Sequence, residues 1–147
     1  MNRLIVDPRH IREIARAQRE LLEIVADLVD EVPSIVGHLW TTRIWSSPNE
    51  EARIMRDIKE KTGKDYKTSG IHTVDNPIRA WDIAPAPTVD DTMGKEIADA
   101  VNSRWIYDYG RPNMKCVLYH MGHWHVQVHP RTRRNKEFKP HVESDHG

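Results

Sequence analysis

Alternating apolar and polar positions near the carboxyl end of the chain predict a β-hairpin. Trp124, Val126 and Val128 alternate with polar residues, and an apolar run from Met114 to Tyr119 precedes them. Met121–Gly122 can form the turn between the two strands. Because side chains alternate across a strand, the polar positions share one face, and they are His123, His125, Gln127 and His129. Histidines two residues apart on a strand suit a metal ion, so this face is either wet surface or the lining of a site.

A second pattern, with apolar residues at steps of three and four, predicts an amphipathic helix over residues 8–32. Asp7 can cap this helix, and Pro33 stops it. The apolar stripe consists of Ile11, Ile14, Leu21, Val25, Leu28 and Val32, and Gln18 is its one polar member. We expect the helix to lie on the domain's own sheet and the protein to be a monomer. The alternative is a dimer in which two copies of the first helix form a short coiled coil.

The other elements complete an α+β fold. Strands are predicted in the β-branched and aromatic stretch Ile35–Trp45 and in Ile78–Ile83, and helices are predicted over residues 48–61 and from about Thr92. Together with the hairpin, these segments predict a small antiparallel sheet with helices packed against it. A functional cleft would lie on the sheet.

Composition narrows the class of protein. The chain of 147 residues is long enough for one domain, predicted over residues 1–130, and residues 131–147 are predicted to be a polar, basic and poorly ordered tail. Lysines plus arginines equal aspartates plus glutamates at 22 each, so net charge favours neither nucleic acid nor membrane as a partner. The single cysteine, Cys116, excludes an internal disulfide. No signal peptide or membrane-spanning run is evident, and we expect synthesis in the cytoplasm.

Three residues from separate segments are candidate metal ligands. A catalytic zinc ion takes three protein ligands from histidine, cysteine or carboxylate. Asp82 lies between Trp81 and Ile83 on a predicted strand, where a carboxylate is costly unless a cation accompanies it. His72 precedes that strand and His125 lies on the hairpin, so folding can bring the three together. Each histidine taken singly is more typical of structure or surface, and only the combination predicts a metal site.

The motifs around these residues carry a family resemblance. Ser69–Gly70–x–His72, then Arg79–Ala80–x–Asp82–Ile83, then His123–x–His125 resemble the zinc peptidase superfamily of lysostaphin, D-alanyl-D-alanine peptidases and the Hedgehog signalling domain. Residues 40–130 are most similar to small phage and prophage peptidases of the D-alanyl-D-alanine carboxypeptidase and L-alanyl-D-glutamate endopeptidase type. The resemblance implies one Zn²⁺ per chain, bound by His72, Asp82 and His125 in a cleft on the sheet. It also implies hydrolysis of peptide bonds in the stem peptides of bacterial peptidoglycan.

The resemblance further implies catalytic and substrate-binding roles. Family members carry a glutamate, or the first histidine of His-x-His, ahead of the last ligand as the catalytic group. Gly122 occupies the glutamate's place here, so His123 inherits the role and His120 is the second candidate. Many members also have an arginine on the strand before the second helix, where it contacts substrate. Ser46 stands at that position in this chain, and Arg43 is close to it in sequence.

Three further residues are candidates for contacting substrate. Arg79 and Arg111 can each clamp a carboxylate through two parallel guanidinium hydrogen bonds. Trp124 can form an aromatic wall for a peptide. For each of the three residues, a surface or core position without a role in substrate binding is an equally good interpretation.

The leading prediction is a zinc metallopeptidase of the phage endolysin type, made in the cytoplasm and brought to the cell wall by another route. One alternative is a non-catalytic zinc-binding module of phage origin, which the missing glutamate and arginine motivate. A less favoured alternative is a metal-dependent nuclease, suggested by histidines near the basic run 131–134 and opposed by the zero net charge. The leading prediction includes no nucleic-acid or membrane partner.

Overall fold

The structure is a computed structural model that describes residues 3–46, 48–64, 71–73, 77–85 and 89–137. In this part of the chain it is an α+β fold with four helices, a five-stranded sheet and a two-stranded ribbon, which confirms the predicted fold class. In chain order the elements are β1 (Leu4–Ile5), α1 (Ile11–Ala15), α2 (Arg19–Glu31), β2 (Leu39–Arg43), α3 (Pro48–Thr62), β3 (Ala80–Ala84), α4 (Asp91–Asn102), β4 (Trp105–Ile106), β5 (Val117–His120), β6 (His123–Gln127) and β7 (Arg133–Arg134). Short 3₁₀ helices lie at Pro8–His10, Ser34–Val36 and Ile71–Thr73. No helix of the described residues is long and apolar enough to cross a membrane.

The five-stranded sheet is mixed, with the strand order β1-β2-β3-β6-β5. Strands β2, β3, β6 and β5 pair in antiparallel fashion, as predicted, but β1 pairs with β2 in parallel. A parallel pair needs a crossover connection, and α1 and α2 lie in the connection between these two strands. The prediction of a purely antiparallel sheet is therefore wrong for its edge strand.

Helices α2 and α4 pack together on one face of the sheet and form the core with it. The buried α2 residues are Leu21, Ile24, Val25, Leu28 and Val29. Helix α4 lies close to the sheet at Gly94, where an added Cβ would be 2.3 Å from the ring of Tyr119 on β5. The apolar stripe of α2 is thus buried within its own chain, as the first interpretation predicts, and the monomer stays a prediction.

The single helix predicted over residues 8–32 is interrupted between α1 and α2. Gln18 has an extended backbone, with φ −60° and ψ 139°. Its backbone N–H donates to the Ile78 carbonyl at 2.9 Å, and the Ile78 N–H donates to the Arg16 carbonyl at 2.9 Å. The Gln18 side chain donates to the His129 carbonyl at 2.9 Å. These tertiary hydrogen bonds replace helical ones, and they explain why a polar residue interrupts the stripe.

The predicted boundary at residue 130 is also wrong, because the chain beyond it belongs to the fold. Strand β7 pairs with β4, the Thr132 hydroxyl donates to the Tyr107 carbonyl at 2.8 Å, and the Asn135 N–H donates to the Arg104 carbonyl at 2.8 Å. The basic side chains have partners on the domain, which explains the order of this segment. Residues 138–147, which include most of the predicted tail, lie outside the described residues.

Candidate metal centre

The register of the sheet aligns the predicted site residues on neighbouring strands. Asp82 on β3 lies directly opposite His125 on β6, and Arg43 on β2 is the other cross-strand neighbour of Asp82. His123 on β6 lies opposite His120 on β5. The predicted hairpin is confirmed, with positive φ at both turn residues, 53° at Met121 and 76° at Gly122.

His72 reaches the sheet from the 3₁₀ helix Ile71–Thr73. This turn is anchored to the end of β2, because the Ser46 N–H donates to the His72 carbonyl at 2.9 Å. The ring is buried, and its Nδ1 lies 2.8 Å from the Ile44 carbonyl oxygen. Since a carbonyl oxygen only accepts, Nδ1 carries the proton and Nε2 has the free lone pair in the neutral ring.

His72, Asp82 and His125 form a candidate metal-binding triad. One ligand atom from each residue lies within 4.8 Å of the other two. Asp82 Oδ1 is 3.2 Å from His72 Nε2 and 2.8 Å from His125 Nδ1. The structure thus brings together all three ligands that the resemblance implies. Two nitrogens and one carboxylate oxygen are a donor set that suits zinc.

The unsatisfied nitrogen of His72 fits a metal ion. Although His72 Nε2 lies 3.2 Å from Asp82 Oδ1, it is buried and has no hydrogen-bond partner among the described residues. A buried polar atom without a partner is costly, and a bound cation would remove that cost.

Like His72, His125 is oriented by a hydrogen-bond partner outside the triad. Its Nε2 lies 3.1 Å from Gln127 Oε1, and the Gln127 amide is held in that orientation because its Nε2 donates to the Lys115 carbonyl at 2.8 Å. An Nε2–H donated to Gln127 makes Nδ1 the nitrogen that would bind a metal, and any proton that Nδ1 shares with Asp82 Oδ1 in their 2.8 Å hydrogen bond would be displaced by the ion. Carbonyl partners that fix the tautomer of a ligating histidine are typical of protein metal sites. Both histidines of the triad have such a partner.

Asp82 is ionised despite its burial. Burial alone raises the pKa of this carboxyl, but its hydrogen bond with His125, the largest opposing cause, lowers the pKa far below the usual range. A buried carboxylate beside two histidine nitrogens forms a negative centre in which a cation is stabilised.

The triad lies in the floor of an open cleft of about 540 Å³. Helix α3 contributes apolar side chains to its lining, and the hairpin contributes both apolar and polar ones. The lining consists of Thr42, Arg43, Ile54, Met55, Ile58, Ile71, His72, Asp82, Met114, Leu118, His120, Met121, His123, His125 and Gln127. A polar floor between apolar walls is typical of small-ligand and peptide sites.

Both predicted catalytic histidines line this cleft. His123 Nε2 lies 3.7 Å from Asp82 Oδ2, and the rings of His120 and His123 are 4.9 Å apart. Burial and the neighbouring charges of His123 and His125 lower the pKa of His120. Two imidazoles thus stand beside the triad on the open side of the site.

The three arginines predicted to contact substrate lie in different parts of the molecule. Arg43 lines the cleft, but its guanidinium is bound to Asp82 and to Glu51. Arg79 and Arg111 do not line it. Arg79 acts electrostatically on Tyr107, and Arg111 lies 3.9 Å from Asp108, at a separate cluster. Their positions do not support a carboxylate clamp at this centre.

The prediction that Trp124 contacts substrate is wrong. Its side chain is 0% exposed, and its Nε1–H donates to the Gly94 carbonyl at 2.9 Å. The residue alternates with His123 and His125, so it faces the core while they face the cleft. His129 also leaves the cleft face, since β6 ends at Gln127 and the His129 ring packs near Tyr107.

The structure adds two residues to the site. Glu51 is 3% exposed and binds Arg43, and Gln127, on the polar face of the predicted hairpin, is buried and orients His125. Glu51 shares a helical face with Ile54, Met55 and Ile58, so an acid within an apolar stripe is the signal that the sequence offers for it. Ser69 and Gly70 of the first motif lie outside the described residues.

Comparison with protein-family models, curated proteins and solved structures found no match to this chain. Function is therefore inferred from the geometry of the site.

Proposed function

We propose that this chain is a zinc-dependent peptidase that hydrolyses peptide bonds in peptidoglycan stem peptides, in the manner of a phage endolysin. We also propose membership of the superfamily of lysostaphin and D-alanyl-D-alanine peptidases. One observation carries the proposal: a His-Asp-His triad with oriented imidazoles, two of its members buried and the third half-buried, opens onto a cleft that holds two more histidines.

The residues that would hold one zinc ion per chain are His72, Asp82 and His125, through Nε2, Oδ1 and Nδ1. When bound, zinc supplies a Lewis acid that polarises a carbonyl group and makes water a stronger acid. The carbonyls of Ile44 and Gln127 accept from the other ring nitrogens, so His72 Nε2 and His125 Nδ1 are the nitrogens that would bind the ion. The protein thus presents its donor atoms before any metal arrives.

His123 is the proposed general base. Its Nε2 lies on the open side of the site, 3.7 Å from Asp82 Oδ2. There it would accept the proton of the attacking water and return it to the leaving amine. The lowered pKa of His120 keeps that ring neutral at pH 7, so it can hydrogen-bond near the reacting groups without adding positive charge.

The walls of the cleft have a separate role. Ile54, Met55 and Ile58 from α3 and Leu118 and Met121 from the hairpin all line the site. A peptide backbone between these side chains would displace water, which strengthens electrostatic interactions with the reacting carbonyl.

Release of new amino groups from purified peptidoglycan tests the proposal. The protein is assayed as isolated, after chelation, and after zinc is added back, with His125→Ala as the inactive reference. We expect release that chelation abolishes and zinc restores, and mass analysis of the fragments identifies the bond. No release from several wall types by a folded, zinc-loaded protein would contradict the proposal.

A second candidate is a non-catalytic zinc-binding module of phage origin. One observation favours it: among the described residues that line the cleft, Arg43 is the one arginine, and two carboxylates already occupy its guanidinium. Such a module would bind zinc at the same triad and show no turnover. The nuclease alternative stays an untested prediction.

A further inference from the structure

We infer that Arg43 and Glu51 form a clamp that positions the metal ligand Asp82, and that both are positioning residues of the centre. The inference rests on the proposed metal site. It replaces the predicted role of Arg43 as a substrate contact. It also assigns a role to Glu51, which no sequence motif indicates.

The guanidinium of Arg43 divides its hydrogen bonds between two carboxylates. Nη1 lies 2.6 and 3.0 Å from the two oxygens of Glu51. Nε and Nη2 both lie 3.2 Å from Oδ2 of Asp82. The other oxygen of Asp82, Oδ1, faces the two triad histidines. The clamp thus holds one oxygen of the ligand and leaves the second for a metal.

Glu51 makes this arrangement electrostatically compatible with a cation. A lone guanidinium 3.2 Å from a ligand carboxylate would repel a divalent ion and compete with it for Asp82. Glu51 is 3% exposed and supplies a compensating negative charge. Arg43 can therefore orient Asp82 without adding net positive charge beside the metal.

The clamp also joins the metal ligand to the wall of the cleft. Glu51 lies in the first turn of α3, and the same helix carries the wall residues Ile54, Met55 and Ile58. Helix α3 contacts the 3₁₀ helix that carries His72. The position of α3 is thus connected to two of the three ligands, through Arg43 and through that short helix.

Zinc affinity of a double variant, Arg43→Met with Glu51→Met, tests the inference. Replacing both residues removes one positive and one negative charge together and leaves Asp82 beside its two histidine neighbours, so we expect the fold to survive. We expect zinc binding about 10- to 100-fold weaker than in the parent, the loss typical of outer partners of metal ligands. The measurement is competition with a chromophoric chelator on protein whose melting curve is intact.

The matched control removes another Arg–Glu pair, Arg104 and Glu31, which are 2.8 Å apart and distant from the cleft. Arg104→Met with Glu31→Met should bind zinc like the parent. Glu51→Gln keeps the size of the side chain and removes only its charge, so weaker zinc binding in this variant separates electrostatics from packing. Glu51→Gln also tests the inference if the double variant does not fold.

Parent-like zinc affinity in the folded double variant, or in folded Glu51→Gln, would overturn the inference. A raised KM for peptidoglycan with unchanged zinc affinity would also overturn it, in favour of substrate contact by Arg43. Failure of the parent protein to bind zinc is a different result, because it would refute the metal centre itself and the proposed function with it.

Discussion

Two buried aspartates in this molecule have similar neighbours and different chemistry. The Asp82 cluster comprises Asp82, His72, His125 and Arg43. The Asp108 cluster comprises Asp108, Arg131, His129 and Arg111. Each carboxylate is buried and lies near both arginine and histidine. The clusters differ in how completely the hydrogen-bonding atoms of their side chains are paired.

The Asp108 cluster is closed. Arg131 donates from Nε to Oδ1 at 3.0 Å and from Nη2 to Oδ2 at 2.9 Å, and the Gly110 N–H also donates to Oδ1. These hydrogen bonds, with that of Arg131 the largest cause, lower the pKa of Asp108 to about 2. His129 has its own partner, since its Nδ1 accepts from the Arg131 N–H at 3.0 Å. This cluster is an ion pair that fastens the 129–134 segment to the domain.

The Asp82 cluster is incomplete. Each triad histidine turns one ring nitrogen toward an outer carbonyl and the other toward the same oxygen of Asp82. Within the part of the chain that the structure describes, His72 Nε2 has no hydrogen-bond partner. A buried aspartate among histidines is therefore not enough to indicate a metal site. The orientation of the imidazoles and the unsatisfied nitrogen make the distinction.

The largest expected effect comes from the same isosteric change at both aspartates. Asp82→Asn should reduce amino-group release from peptidoglycan to the level of the chelated parent, a greater loss than the roughly 100-fold typical of outer partners. Asp108→Asn should retain activity, because the Asp108 carboxylate contacts none of the three candidate metal ligands. Equal losses in both variants, measured on folded protein, would remove the distinction between the clusters.

Substitution of a histidine beside Asp82 and of one beside Asp108 should also have different effects on activity. His123→Ala should keep its zinc and lose about 10²- to 10⁴-fold in turnover rate, the usual contribution of a general base. His129→Ala, on the Asp108 side, should keep the parent's rate. Steady-state kinetics with metal analysis of the same samples makes the comparison, and full activity of His123→Ala would exclude it from the mechanism.

Zinc should stabilise the fold only through the Asp82 cluster. At a free zinc concentration 100 times the Kd, binding adds about 2.7 kcal/mol to the free energy of unfolding. For a domain of this size that is a rise in Tm of roughly 5–10 °C. Calorimetry should find this rise in the parent and in Asp108→Asn, and its absence in Asp82→Asn. A rise in Asp82→Asn would place the zinc elsewhere.

The smallest expected effect is the pH dependence of the Asp108 ion pair. The pKa of Asp108 is about 2 in the folded protein and about 3.9 in an unfolded chain. Its contribution to stability is therefore present above about pH 4 and is lost as the pH falls through about 2. The contribution is small because Arg131 is 70% exposed and screened by solvent.

Urea unfolding of the chelated parent and of chelated Asp108→Asn measures that contribution. The variant should be less stable at pH 6, and the difference should shrink between pH 4 and pH 2. Because Asp82 titrates in both proteins, its effect cancels in the comparison. A difference that does not change with pH would mean that Asp108 acts through packing.

Patterns of period two were the most informative part of the sequence. Alternation along 123–128 predicts the hairpin and separates the cleft histidines from the core side of the strand, where Trp124 lies. The same alternation should have removed Trp124 from the candidate substrate contacts. The fold class follows from such local patterns, and the family resemblance adds the three ligands that the structure brings together.

Features that depend on tertiary hydrogen bonds could not be predicted in this way. The break at Gln18 arises because residues 16–18 bond to Ile78, which is distant in sequence. The clamp of Arg43 requires the registration of β2 with β3 and the placement of α3 beside them. The order of residues 131–135 depends on Asp108 and on strand β4. In each case one partner is a backbone group or a charge whose neighbour the sequence does not specify.

Anomalous scattering at the zinc absorption edge tests the central claim most directly. Crystals of the parent grown with zinc, and matched crystals of Asp82→Asn, are measured above and below the edge. We predict one strong peak per chain in the parent, about 2.0–2.2 Å from His72 Nε2, Asp82 Oδ1 and His125 Nδ1, and no peak there in the variant. A parent without a peak at the triad, or with its zinc at another site, would contradict the account.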